Sequence, residues 1–342
     1  MFKKVLRKSV ENLLEVTLLI ILSRNECPYP PSPVVKEFLN RYIDSINRYE
    51  IPSIYEDLIS RLAEYNSIGK EYIELLLGSE EFFTILPWFM IRNKYSFMYF
   101  NPTFEPAIED LSVWNINLTS IDLDENFMIN TDIVLNKCNE NTVVYIVRPN
   151  NPTGNLPIDC KSIGEIADHT RLVIIDEAYF EFSKQTCINM VKNYSNIVIL
   201  RTLSKAFCIA GARLGYVITS PETLRELMRV KRKYSIPVST ILIGLGALND
   251  IKYMESIVYE IVRTRDYVVN ELSRVQEVRV YNTLTNFILV GKEEYDSKKL
   301  YEKLLENNIV VKPLENRLSK FIRVSIGRRE EMEKFINVIK KI

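Results

Sequence analysis

Three short runs in the middle of the chain, Val143–Val147, Leu172–Ile175 and Ile197–Leu200, are apolar or aromatic at every position. A strand with one wet face alternates apolar and polar side chains, so unbroken β-branched runs predict strands covered on both faces. Roughly 20–25 residues carrying helical patterns separate them, the spacing of an α/β fold with a mostly parallel central sheet flanked by helices. Upstream, Ile54, Leu58, Leu62 and Tyr65 recur at helical spacing and predict an amphipathic helix over 54–68. A second, apolar helix fits Glu80–Arg92, entered through Gly78-Ser79, and Pro28, Pro30, Pro31 and Pro33 make an extended segment before both. At the start, Lys3, Lys4, Arg7 and Lys8 precede an apolar stretch, but Glu11 and Glu15 interrupt it and no small-residue cleavage site follows. A helix running into a short strand over Val16–Leu22 is expected there rather than a secretory leader.

The last third reads differently. Residues 221–234 are helical and strongly charged, followed by an apolar helix Ile241–Leu248, strands Phe287–Val290 and Ile322–Ser325, and a closing helix from Glu330. This is a smaller α+β unit. The expected division is an N-terminal segment 1–28 near the small domain and the site, a large domain 29–228 and a small domain 229–342.

Composition narrows the chemistry. Lys+Arg and Asp+Glu both number 44 in 342 residues, so the basic excess of a nucleic-acid or anionic-membrane binder is missing. No run approaches the roughly 18 apolar residues of a membrane span, and a soluble, cytoplasmic protein is expected. The lone histidine, His169, lies in the polar stretch Ala167-Asp168-His169-Thr170 and reads as a surface residue, which argues against a His-rich zinc site. Five scattered cysteines, Cys27, Cys138, Cys160, Cys187 and Cys208, read as reduced thiols. No metal is expected. Gly244-Leu245-Gly246 lacks the third glycine of a dinucleotide fingerprint.

Each central strand is followed at once by polar residues: Arg148-Pro149-Asn150-Asn151, Asp176-Glu177, and Arg201-Thr202-Leu203-Ser204-Lys205. Ligands of open α/β sheets bind beyond the carboxyl ends of the strands, so an Asn, an Asp and a Lys gather along one edge. A lysine amine condenses with an aldehyde to an imine, and an aspartate keeps a pyridine nitrogen protonated, which makes the ring an electron sink. A neutral amide or phenol would tune the imine, while hydroxyls, backbone N–H groups and an arginine would hold a phosphate. Taken singly, each residue has a plainer reading: Lys205 as a solvated side chain, Asp176 as a helix cap, Asn151 as turn chemistry before Pro152, Phe104 as core.

Four strings then occur in order: Asn150-Asn151-Pro152-Thr153-Gly154, Asp176-Glu177-Ala178-Tyr179, Thr202-Leu203-Ser204-Lys205-Ala206-Phe207 and Ala210-Gly211-Ala212-Arg213-Leu214-Gly215-Tyr216. With Asn25-Glu26-Cys27-Pro28-Tyr29 near the start and Arg323-Val324-Ser325-Ile326-Gly327 near the end, the chain resembles the fold-type-I aminotransferases dependent on pyridoxal 5′-phosphate, specifically the histidinol-phosphate aminotransferase group. The resemblance implies that Lys205 carries the cofactor as a Schiff base and moves the substrate's proton. It places Asp176 on the pyridinium nitrogen, Asn151 and Tyr179 on the ring hydroxyl and Phe104 on the ring face. Gly78, Ser79, Glu80, Ser204 and Arg213 would surround the phosphate. Tyr49 would reach the phosphate in the neighbouring subunit of a homodimer. Arg323 would grip the substrate's acidic group, with Lys312 and Tyr29 beside it. The implied partners are a small-molecule amino donor, histidinol phosphate or a similar amino compound, and 2-oxoglutarate.

The chain departs from the group's pattern at Arg148, at Cys208 where glycine or alanine is common, at Tyr234-Ser235-Ile236-Pro237-Val238-Ser239 without its asparagine, and at Lys312 in place of arginine. The last two touch the substrate side and leave open a threonine-phosphate decarboxylase-like lyase, or an aromatic or acidic amino-acid aminotransferase.

Overall fold

The computed structural model describes residues 19–342. The expected N-terminal helix and the first residues of the strand expected over Val16–Leu22 lie outside the described residues. The strands in chain order are β1 (Ile20–Ile21), β2 (Ile73–Leu77), β3 (Ser96–Asn101), β4 (Leu118–Asp122), β5 (Thr142–Val147), β6 (Leu172–Asp176) and β7 (Ile197–Thr202). They continue with β8 (Leu214–Ile218), β9 (Val278–Val280), β10 (Phe287–Lys292), β11 (Ile309–Val310), β12 (Lys312–Pro313) and β13 (Phe321–Ser325).

Seven strands form one sheet in the order β2-β8-β7-β6-β5-β3-β4. Neighbours from β4 to β7 are parallel, and β8 runs antiparallel to both β7 and β2. The unbroken apolar runs behave as their pattern predicts. Val144 and Ile146 face one buried layer, while Val143, Tyr145 and Val147 face the other. The first layer receives Leu58 and Leu62 from the helix Pro52–Asn66 and Ile163 and Ile166 from the helix Cys160–Ala167. The second receives Phe82, Phe83 and Leu86 from the helix Phe82–Asn93. Each fully buried aliphatic or aromatic side chain contributes about 1.5–3 kcal/mol, so double coverage makes this sheet the rigid platform of the molecule.

A four-stranded antiparallel sheet, β12-β13-β10-β9, stands apart, and β1 pairs in parallel with β11. The long helix Ile251–Leu272 and the closing helix Arg329–Lys341 pack against each other beside this sheet. The helix Val238–Leu248 lies on the helices Pro33–Tyr42 and Pro52–Asn66.

Two expectations need correction. The charged helix expected over 221–234 is shorter: Pro221–Leu227 is helical, one tight turn follows over Met228–Val230, and Tyr234 has a left-handed backbone at φ 59°. A continued helix would stack Arg229 on Arg232 and Lys233 at three- and four-residue spacing, like charge on like, whereas Lys231 here pairs with Glu74. The cysteines are not all free thiols. Cys160 is bonded to Cys187 and Cys27 to Cys208, with Cα–Cα separations of 5.6 and 5.0 Å, and Cys138 is free. Separations of 27 and 181 residues carry no pairing signal; only the fold brings these sulfurs together.

Candidate active site

β5, β6 and β7 end side by side, and β4 and β3 lie on the far side of β5, so successive connections leave the β3–β5 boundary in opposite directions. The carboxyl ends at such a boundary open a crevice. A cleft of about 860 Å³ lies there, walled on its other side by β11, β12 and β13. Phe104, just after β3, Asn151 after β5, Asp176 at the end of β6 and Lys205 after β7 all line it.

Asp176 is buried, and its carboxylate is held on both oxygens. The Ala178 backbone N–H donates to Oδ1 at 3.0 Å and the Tyr145 hydroxyl donates to Oδ2 at 3.0 Å. Tyr145 reaches it diagonally across the parallel pair, since Tyr145 is registered with Ile174. Burial pushes Asp176 up to about 6, against the pull of these two hydrogen bonds. A carboxylate so placed is stabilised by a cationic N–H at its remaining lone pairs.

Lys205 is half-buried, and its ammonium donates to the Arg24 carbonyl at 3.3 Å. Burial, with the Arg323 charge second, brings Lys205 down from 10.5 to about 8. A sizeable neutral fraction near neutrality is what an imine-forming amine requires.

Between these two, the Tyr179 hydroxyl accepts from Asn151 Nδ2 at 3.2 Å and from Asn25 Nδ2 at 2.9 Å. Burial raises the Tyr179 phenol and keeps it neutral. Its own O–H therefore remains available to donate into the cleft. Arg323 donates through Nη1 to Asn151 Oδ1 at 2.7 Å and through Nη2 to the Ser23 carbonyl at 2.9 Å. Its Nε is buried without a partner, and burial lowers its pKa. A guanidinium held by two neutral acceptors lacks a counter-anion, and an acidic ligand would supply one.

At the other end of the cleft Gly78 turns at φ 74°, and Ser79 and Glu80 follow in a tight helical turn. A side chain on Gly78 would strike the Arg213 guanidinium, and one on Gly215 would run into the Ser79 amide. The two glycines thus let the 78–80 turn and Arg213 lie directly on the sheet end. Arg213 donates to Glu80 Oε2 at 2.7 Å, and Ser204 Oγ accepts from Thr202 Oγ1 at 2.9 Å. The turn, a hydroxyl and a guanidinium make a cradle for a phosphate.

The structure thus gathers Ser79, Glu80, Phe104, Asn151, Asp176, Tyr179, Ser204, Lys205, Arg213, Lys312 and Arg323 around one cleft. Gly78 sits behind Arg213 rather than on the lining. Tyr29 is off the lining too, its ring 5.5 Å beneath the Arg328 guanidinium. Tyr49 is 84% exposed and stacked on Tyr234, away from the chain's own cleft. Three contributors escaped the sequence reading. Tyr145 is a phenol in a buried strand, which needs a partner. Asn25 has a left-handed backbone at φ 54° just before the proline-rich segment, and Tyr301 lines the small-sheet wall.

These residues fit pyridoxal 5′-phosphate: an amine of lowered pKa, a buried carboxylate with room for a pyridinium, a neutral amide–phenol pair between them and a phosphate cradle beyond. The family described as aminotransferase class I and II matches residues 17–339. The chain is 32% identical over 330 residues to the histidinol-phosphate aminotransferase of Sulfurisphaera tokodaii, covering 94% of this chain and 90% of that one. It is 30% identical over 341 residues to the enzyme so named from Methanosphaera stadtmanae, covering 95% and 90%. The crystal structure of the histidinol-phosphate aminotransferase from Clostridium acetobutylicum superposes with a TM-score of 0.83 at 25% identity, over 94% of this chain and 98% of that one. Lysine, aspartate and cradle therefore sit in a chain that belongs to the class I and II aminotransferase family, as a fold-type-I pyridoxal-phosphate enzyme of the histidinol-phosphate aminotransferase group.

Proposed function

We propose that this aminotransferase exchanges an amino group between histidinol phosphate, or a similar amino compound with an acidic group, and 2-oxoglutarate. The observation that carries the reading is Arg323. It is a cleft-lining guanidinium with one nitrogen unpartnered, fixed by Asn151 on the wall that also holds Lys205 and Asp176. One planar fork can take either the phosphate ester of one substrate or a carboxylate of the other. Lys312, also on the lining, adds a point charge.

When bound, pyridoxal 5′-phosphate supplies the ring that stabilises negative charge at the substrate's α-carbon. The chain's residues do the rest. Lys205 Nζ would hold the cofactor, and its lowered pKa suits it to take up and return the substrate's α-carbon proton near neutrality. Asp176 would hold the protonated ring nitrogen, and Asn151 and Tyr179 the ring hydroxyl. Phe104 would cover the ring face. Arg213, Ser204 and the backbone of Ser79 and Glu80 would hold the phosphate, for which Arg213 would give up Glu80.

Tyr49 belongs to the same proposal. Its exposed ring, with Tyr234, Ile43 and Ile46 also exposed, suits the interface of a homodimer in which Tyr49 reaches the neighbouring site. A cytoplasmic location is proposed with it; no helix among the described residues is long and apolar enough to cross a membrane.

A stopped-flow panel of amino donors, read by cofactor absorbance, tests the reading. Histidinol phosphate and glutamate should each convert the cofactor to its amine form without release of carbon dioxide. Carbon dioxide from threonine phosphate, with no conversion by glutamate, would overturn it.

A further inference from the structure

The two oxygens of Asp176 are supported from different places. Oδ1 accepts from the Ala178 amide two residues on, within the same segment of chain. Oδ2 depends on a neighbouring strand: it accepts from the Tyr145 hydroxyl, and among the described residues no other group donates to it. The Tyr145 hydroxyl has no other partner among them either. The bond therefore has no second donor behind it.

Packing fixes the aim of the phenol. Tyr145 is fully buried in β5, registered with Ile174, so Asp176 lies on the same sheet face two positions further along β6. The Phe83 ring meets it edge-on with centroids 5.1 Å apart, and the Phe97 ring lies 6.0 Å away. Phe83 belongs to the helix that starts directly after the turn of the phosphate cradle, and Phe97 to β3. A hydroxyl in such an aromatic layer costs free energy unless it finds a partner, and Asp176 is that partner. Burial raises the Tyr145 phenol well above its usual range, so it keeps its proton and serves as a donor.

We propose that Tyr145 is a positioning residue that sets where the shared proton resides between Asp176 and the ring nitrogen of pyridoxal 5′-phosphate. This rests on the reading that Asp176 meets that nitrogen. A phenol donates more strongly to a carboxylate than to a carboxylic acid, so Tyr145 favours the charged form of Asp176 and leaves the proton on the nitrogen. Burial works the other way, pushing Asp176 up to about 6. Without the phenol the balance moves toward Oδ2: the N–H bond breaks, an O–H bond forms, and the net charge of the pair is unchanged. The ring is then a weaker electron sink. The worth of a hydrogen bond to a charged group corresponds to a shift of about tenfold or more in that distribution.

The test compares the parent with Tyr145→Phe, which keeps the ring in its layer and removes the hydroxyl. Each holoenzyme is loaded with cofactor isotope-labelled at the ring nitrogen, and the nitrogen's NMR shift is referenced to free cofactor in acid and in base. The parent should show a protonated nitrogen, and the variant should lie measurably toward the unprotonated reference at the same pH. Chemical unfolding of the apoenzymes is the second measurement and needs no cofactor. Tyr145→Phe should lower the unfolding midpoint of the parent, because Asp176 is left buried with one donor. In an Asp176→Leu background, where the hydroxyl has lost its acceptor, the same change should be neutral or raise the midpoint. An identical nitrogen shift in parent and variant, or an equal loss of midpoint in both backgrounds, would overturn the role of Tyr145. An unprotonated nitrogen in the parent itself would instead overturn the pairing of Asp176 with the ring, and the proposal with it.

Discussion

Two arginine–glutamate pairs stand at the carboxyl edge of the same sheet, each with a 2.7 Å contact. Arg201 and Glu177 have side chains 2% and 0% exposed, whereas those of Arg213 and Glu80 are 45% and 48% exposed. The difference in function follows from what surrounds each pair. Arg201 also donates to Asn66 Oδ1 at 2.6 Å and to Thr186 Oγ1 at 2.7 Å, with Phe180 stacked at 3.7 Å. Glu177 in turn accepts from the Cys187 amide and the Thr186 hydroxyl. Each side-chain nitrogen and oxygen of the pair has a partner inside the protein, so neither residue is free to offer a ligand. Arg213 has one acidic partner and an open cleft, so its partner is exchangeable. Identical chemistry at identical distance is structural in the first case and available for binding in the second; saturation and burial decide which.

The largest effect should come from breaking the closed pair. Arg201→Ala leaves Glu177 charged and buried, and should cost about 3–5 kcal/mol in chemical denaturation. Arg213→Ala should cost less than about 1 kcal/mol of stability, as exposed pairs do. The same substitution should remove about 1.5–3 kcal/mol of cofactor affinity in an absorbance titration of the apoenzyme. Equal unfolding midpoints for the two variants would erase the distinction.

Lys205 sharpens the contrast from the pH side. Below its folded pKa the amine is protonated and unreactive, so a pKa lowered to about 8 predicts capture of the cofactor aldehyde accelerating as pH rises toward 8 and levelling above it. An ordinary lysine would keep gaining about tenfold per pH unit to roughly 10.4. Continued acceleration in that upper range would show that burial is not tuning the amine. The smallest effect belongs to Glu80→Gln. Removing the carboxylate that competes for Arg213 should tighten cofactor binding by about 0.2–1 kcal/mol, the worth of an exposed pair. Weaker binding would mean that Glu80 supports the cradle rather than occupying it.

Much of this site was legible in the chain because its members follow runs of unmistakable pattern. Asn151, Asp176 and Lys205 each lie within five residues of a doubly covered strand's last apolar position, and such strands can only present their ends to a ligand. The closed pair was not legible: the motif string marks Arg213 for a phosphate, but nothing in the order of residues shows that Arg201 is buried against Glu177. Asn25, Tyr145 and the bonded cysteines were hidden for the same reason: each acts on a partner distant in sequence, as Cys27 does 181 residues from Cys208. Among the strands, β2 and β8 carry Glu74 and Gly215 within their runs, so neither reads as an unbroken apolar segment. The charged stretch after Leu227 kept helical residue types where the chain leaves the helix.

The central claim is that Lys205 holds the cofactor whose opposite end rests on Asp176. Borohydride reduction of the holoenzyme followed by peptide mass mapping tests it most directly. A reduced pyridoxyl group should appear on the Lys205 peptide alone, and none in Lys205→Ala; a label on another lysine, or an unmodified Lys205 in enzyme loaded with cofactor, would contradict that role.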